Sequence, residues 1–202
     1  MGKIRCFWLE PTEEIELSLR RYRGGESSKC SSSGLGYHNI NAVIERTSTQ
    51  KLKDSGWPIS GEVGTPVHTD DTIPKTDPRW PKSCSCGYEF VADDNWQCNP
   101  DVLYRRSDSG ELVTLHKAPA GAMWNAHWMG GGHWRVIDGI CLCVRTPGGE
   151  WCVDGPSWNH GKIQNEKGWE RSGKVPDITA RPSILIPNQY HGFLTNGFLE
   201  EC

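Results

Sequence analysis

No stretch of this chain approaches the about 18 consecutive apolar residues that a membrane-spanning helix requires. Met1-Gly2-Lys3-Ile4-Arg5-Cys6-Phe7-Trp8 also lacks the uninterrupted apolar segment of a secretory signal. A soluble, non-secreted, cytoplasmic protein is therefore expected. An excess of positive charge is missing too. Its 22 Lys and Arg against 25 Asp and Glu give a formal net charge of -3, and the two signs are mixed along the chain. That balance provides neither the basic footprint of a nucleic-acid binder nor a polybasic membrane patch.

What is abundant is tryptophan, with 10 residues, alongside 23 glycines and 13 prolines. This composition excludes long helices and predicts a turn-rich fold whose core is aromatic rather than leucine-rich. At 202 residues the chain can bury one substantial core, and a single domain 1–202 is expected. Within it, 1–50 reads as N-terminal strands and a short helix, 51–101 as a long irregular segment, and 102–202 as a hairpin-rich core. The nine cysteines are odd in number and clustered. Without a signal segment they point to metal ligation or to reduced, buried thiols rather than to a disulfide scaffold.

Residues 4–9 and 15–22 read as strands. Ile15, Leu17 and Leu19 alternate with Glu14, Glu16 and Ser18, which predicts one buried face. The glycine- and serine-rich stretch 24–34 reads as a loop, 38–46 as a short helix, and 51–81, with five prolines, as an irregular connection. A hairpin is expected from 102–106 and 111–115, with Arg106 against Glu111. A short helix is expected over 119–129. The clearest hairpin joins 140–145 to 150–154, placing Val144 opposite Trp151 and Cys143 opposite Cys152, so that Cys141, Cys143 and Cys152 share a face. Residues 156–175 read as irregular.

Two further hairpin strands, 183–186 and 190–194, flank Pro187-Asn188-Gln189, and Asn196-Gly197 is a tight-turn dipeptide. An odd loop centred on Asn188 pairs Leu185 with His191. It also sets Ser183 and His191 on one face as diagonal neighbours; an even loop would put them on opposite faces. A hydroxyl beside an imidazole is the minimal nucleophile and base, and Asp177 or Asp154 would supply the orienting carboxylate.

Cys84-Ser85-Cys86-Gly87 is half of a structural zinc site in its residue types, the glycine letting the backbone turn so that both thiolates point inward. Cys98 is the nearest third ligand in sequence. For the fourth, Cys202, His133 and the thiols of the 140–154 hairpin all remain open. His127 and His133 flank a triple glycine, and His68 precedes Asp70 and Asp71; both groups suit either a metal or a plain polar turn.

Several motifs coincide with those of a family of small bacterial and bacteriophage proteins. They are Trp169, Arg181-Pro182-Ser183-Ile184, His191-Gly192-Phe193, Asn196-Gly197 and the upstream Cys84-Ser85-Cys86-Gly87. The chain resembles that family, and its segment from Gly121 to Asp154 is similar to the actinobacteriophage branch. Some members, in bacterial ubiquitin-like conjugation operons, act as serine peptidases on the ubiquitin-like protein. Tyr190 stands where the family has a cysteine before the histidine, and the chain stops at Cys202 where the family often continues to a further histidine. The resemblance implies peptide or isopeptide hydrolysis, with Ser183 as nucleophile, His191 as general base and Asp177 as orienting carboxylate, in a host-cell cytoplasm.

The composite expectation is a compact, zinc-pinned α+β protein made mostly of antiparallel hairpins with few short helices. Its metal would be held by Cys84, Cys86, Cys98 and Cys202, and its partner would be a protein or peptide substrate. The competing expectations are a non-catalytic, zinc-stabilised phage protein that binds a host or virion protein, and a zinc-dependent hydrolase using His127 and His133.

Overall fold

The computed structural model of the chain describes residues 2–24, 30, 37–60, 65–70, 72–129, 132–159, 162–165 and 168–202. Most of the loop expected over 24–34 lies outside them, as do Asp71 and two of the three consecutive glycines at 130–132.

Strands dominate. In chain order they are β1 (Lys3–Arg5), β2 (Phe7–Arg23), β3 (His38–Ser48), β4 (Ile59–Ser60), β5 (Thr65–Pro66), β6 (Asn95–Arg106), β7 (Leu112–Val113), β8 (Ala122–Asn125), β9 (Leu142–Thr146), β10 (Gly149–Cys152), β11 (Ser157–Asn159), β12 (Lys162–Asn165), β13 (Glu170–Ser172), β14 (Thr179–Ile186), β15 (Tyr190–Thr195) and β16 (Phe198–Glu201). One α-helix, α1 (Thr49–Asp54), and two single 3-10 turns complete the described elements. The chain groups into two compact units, one of Met1–Pro11 with Tyr104–Cys202 and one of Thr12–Leu103. We call them the terminal and inserted units; β2 and β6 each pass from one to the other.

The terminal unit contains a five-stranded antiparallel sheet in the order β1-β16-β15-β14-β13. Asn196 and Gly197, both at positive φ (47° and 71°), make the tight turn between β15 and β16. Asn188 (φ 60°) turns β14 into β15, with Ile186 opposite Tyr190 and Leu185 opposite His191. The loop is odd, as the facing of Ser183 and His191 requires. One face of the sheet carries Ile184, Tyr190, Leu194 and Leu199 into the core, where they pack with Cys6, Met123, Leu142, Val144, Val153 and Ile178. At about 1.5–3 kcal/mol for each large apolar side chain fully buried, this contact is the main stabilising term of the unit.

The second layer of the terminal unit is β10-β9-β8-β2, with β8 parallel to the start of β2 and antiparallel to β9. The β9–β10 hairpin has the expected register, Val144 opposite Trp151 and Cys143 opposite Cys152. Arg106 bonds Glu111 at 3.0 Å, as the 102–115 pattern predicts. Two expectations need correction here. Residues 119–129 form β8 and a 3-10 turn rather than a helix, because pairing on both edges outweighs the weak local pattern. Residues 156–175 contain the β11–β12 hairpin and β13.

In the inserted unit β2 pairs antiparallel with β3 from Glu14 opposite Ser48 to Arg23 opposite His38. The helix expected over 38–46 is thus strand. Ile40, Val43, Ile44 and Thr47 are β-branched, and pairing with a long neighbour rewards that choice. The helix begins only at Thr49, capped by the Ser48 hydroxyl, which accepts from the Lys51 N–H at 3.2 Å. Both faces of β2 are covered here, since Glu16 and Ser18 are buried as well as Ile15, Leu17 and Leu19. The irregular connection is pinned by tryptophans. Trp57 and Trp80 pack in a core with Ile15, Leu19 and Leu52, and their indole N–H groups donate to Val67 O and Pro74 O, each at 2.9 Å. The Arg21 guanidinium stacks on Trp96 at 3.5 Å and donates to Val91 O at 2.6 Å.

No helix among the described residues is long and apolar enough to cross a membrane.

Candidate functional site

In the inserted unit the Cys84–Gly87 turn is closed by two backbone bonds, Cys84 N–H to Tyr88 O and Gly87 N–H to Cys84 O, both 2.9 Å. Gly87 sits at φ +90°, where a side chain would be strained. The turn presents Cys84 inward and Cys86 toward the surface. Across from it, the start of β3 supplies His38, and the segment before β3 supplies Cys30. Cys30, His38, Cys84 and Cys86 bring one ligand atom each within 4.8 Å of one another, an arrangement that could hold a metal ion.

The spacings suit a tetrahedral ion. With metal–sulfur bonds of about 2.3 Å, two thiolates on a tetrahedral centre stand roughly 3.8 Å apart. The Cys30 and Cys84 sulfurs are 3.7 Å apart. Cys86 Sγ lies 3.2 Å from His38 Nδ1, somewhat inside the roughly 3.5 Å edge of a bound sulfur and nitrogen. Burial raises the Cys84 thiol pKa, but backbone hydrogen bonding at Cys86 and Asn39 and contacts from His38 and Cys30 outweigh it and bring the group to about 6.

A surrounding shell holds the ligands. Tyr88 stacks on the His38 ring, and its hydroxyl donates to Asp94 at 3.2 Å. Asp94 in turn accepts from the Val91 N–H at 2.7 Å and from Arg23 at 2.8 Å. Burial would raise the Asp94 carboxyl, yet these bonds hold it below the ordinary carboxylate range.

Two expected ligands lie elsewhere. Cys98 is fully buried in the core around Ile15 and Trp80, its backbone paired with Thr69, and burial pushes its thiol pKa up. Cys202 follows β16 in the terminal unit, where its N–H donates to His191 O at 3.0 Å. In the group that could hold a metal, Cys30 and His38 stand in their stead. Neither stands out in the sequence, because Cys30 sits alone in a serine-rich stretch and His38 opens a segment whose local pattern suggests a helix. The usable signal was a Cys and a His eight residues apart upstream of the Cys-x-Cys turn. His127 is exposed and meets Trp128 edge-on, while His68 lies 3.4 Å from Gln97; among the described residues neither joins a metal-binding group.

In the terminal unit His191 Nε2 lies 3.3 Å from Ser183 Oγ. Both residues stand on the outward face of the β14–β15 hairpin, beside the exposed Leu185 and Phe193. Ser183 sits where the β14–β15 register shifts, between Ala180 and Ile184, and its carbonyl accepts from the Trp169 indole at 3.1 Å. Gly192 is needed beside the histidine, since a Cβ there would run into the Tyr190 hydroxyl and the Glu200 carbonyl. Tyr190 itself is buried in the core. Asp177 is not brought to His191. It pairs with Arg5 at 2.6 Å. Asp154 is fully buried and accepts from Arg171 at 2.9 Å and from the Leu142 N–H at 2.7 Å. Among the described residues no carboxylate bonds the His191 ring.

No protein-family model, no curated protein and no solved structure matches this chain.

Proposed function

We propose that Cys30, His38, Cys84 and Cys86 bind zinc and that the zinc is structural. The observation that carries this is the 3.7 Å separation of Cys30 and Cys84 within a compact group of three thiols and an imidazole. Thiolates with a histidine select zinc among the common divalent ions, and four protein ligands leave no position for a reactive water. The ion's role is to tie the start of β3 to the Cys84–Gly87 turn. Metal analysis of protein made under reducing, zinc-replete conditions should find one zinc per chain; protein without zinc would overturn the proposal.

A second reading concerns activity. Serine-type hydrolysis, with Ser183 as nucleophile and His191 as general base, is favoured by their 3.3 Å separation. The resemblance of the C-terminal motifs to peptidases of ubiquitin-like operons suggests a peptide or isopeptide bond as substrate. The pair works as a dyad in this reading, since Asp177 is engaged by Arg5. Fluorophosphonate labelling of Ser183 supports hydrolysis. An unlabelled protein, or label that persists in Ser183→Ala, leaves a zinc-stabilised binding protein as the account.

A further inference from the structure

Three thiols outside the zinc group meet in the β9–β10 hairpin. Cys143 and Cys152 are directly opposed, and Val153 N–H donates to Leu142 O at 2.8 Å in the adjoining residue pair. Because bonded and non-bonded pairs alternate along an antiparallel ladder, Cys143 and Cys152 form a non-hydrogen-bonded pair, the closer kind, with Cα atoms about 4.5 Å apart. That falls at the short end of the range a disulfide spans. Cys141 is also near, its sulfur 3.9 Å from that of Cys152. It is a diagonal neighbour, however, and diagonal positions lie roughly 7–8 Å apart at the backbone, beyond easy bridging.

Access differs among the three. Cys141 and Cys143 are buried, and Cys152 is partly exposed. The Cys152 thiol pKa is lowered, chiefly by the influence of the Cys143 thiol opposite it, whereas Cys143 is pushed up by Cys152 and by burial. The oxidant-accessible sulfur is therefore the one with most thiolate character.

We propose that Cys152 and Cys143 are a redox modification site, in which a hydroperoxide oxidises Cys152 and Cys143 closes a reversible cross-strand disulfide. In the first step the Cys152 thiolate attacks the peroxide, forming an S–O bond and breaking the O–O bond. Cys152 becomes a sulfenic acid, and the peroxide is reduced to water or an alcohol. Cys143 then attacks the sulfenic sulfur, an S–S bond forms, and the hydroxyl leaves with the Cys143 proton as water. Two thiols lose two electrons and two protons in all. A dithiol reductant returns both thiols by exchange.

The test is hydrogen peroxide treatment of the zinc-loaded full chain, followed by alkylation and peptide mapping. Loss of two hydrogen masses in a linked peptide pair joining Cys143 to Cys152, reversed by dithiothreitol, is the expected result. In Cys143→Ser the link should be lost and Cys152 should be trapped by dimedone, whereas Cys141→Ser should keep the link. Should Cys143→Ser fail to fold, the wild-type map and Cys141→Ser decide alone. A link between Cys141 and Cys152, or oxidation confined to Cys30, Cys84 and Cys86, overturns the proposal.

Discussion

Tyr88 lies flat on the imidazole of His38, with ring centroids 4.1 Å apart and planes 9° from parallel. One face of the ligand ring is thereby fixed by a residue two positions after Cys86, so the same turn that supplies thiols also orients the histidine. Groups around the ligands commonly contribute about 10–100-fold to metal affinity. Tyr88→Leu should weaken zinc binding by about tenfold without removing the site, measured by chelator competition. Unchanged affinity would show that the stack is packing alone.

Ligand substitutions separate the proposed set, Cys30, His38, Cys84 and Cys86, from the one the sequence suggested. Cys30→Ser, Cys84→Ser and Cys86→Ser should each release zinc and lower the melting temperature of the inserted unit, because metal binding is coupled to its folding. Cys98→Ser and Cys202→Ser should retain one zinc. Zinc lost from Cys202→Ser but kept by Cys30→Ser would refute the assignment.

The hydrolase reading makes an asymmetric demand. Ser183→Ala should abolish fluorophosphonate labelling, and His191→Ala should slow it by about 100-fold or more, the range of general-base catalysis. Asp177→Asn should leave labelling near wild type, since that carboxylate is held by Arg5. A large loss in Asp177→Asn would mean that the carboxylate does reach the histidine.

At the tip of the β6–β7 hairpin, hydrogen bonding from Arg106 holds the Asp108 carboxyl below the ordinary range. A depressed folded-state pKa contributes stability that is fully present above the unfolded value of about 3.9 and is lost as pH falls through the lower, folded value. Asp108→Asn should therefore be less stable than wild type at neutral pH by at most about 1 kcal/mol, given the exposure of the pair. The gap, read from urea unfolding, should close in acid and shrink in salt; a gap that widens in acid would contradict the sign.

Where neighbours in sequence were neighbours in space, the pattern was sufficient. The β9–β10 and β15–β16 hairpins were legible because alternation and turn residues set register locally. The pairing of Leu185 with His191, and with it the shared face of Ser183 and His191, required the odd loop at Asn188, which the structure shows. The 38–46 and 119–129 segments were not legible, because their strand state comes from partners far along the chain, β2 for the first and both β2 and β9 for the second.

By itself, then, the amino-acid sequence determined the register of the β9–β10 hairpin, the tight turn at Asn196-Gly197, and the placing of Cys84 and Cys86 on one turn. Only the tertiary structure decided which residues complete the metal group and where the carboxylates go. Cys30 and Cys84 are 54 positions apart and meet at 3.7 Å. Arg5 and Asp177, 172 apart, meet at 2.6 Å. Spacing along a chain constrains only the next few residues, whereas contacts of this length depend on strand pairing and core burial across a whole unit, to which local pattern is blind.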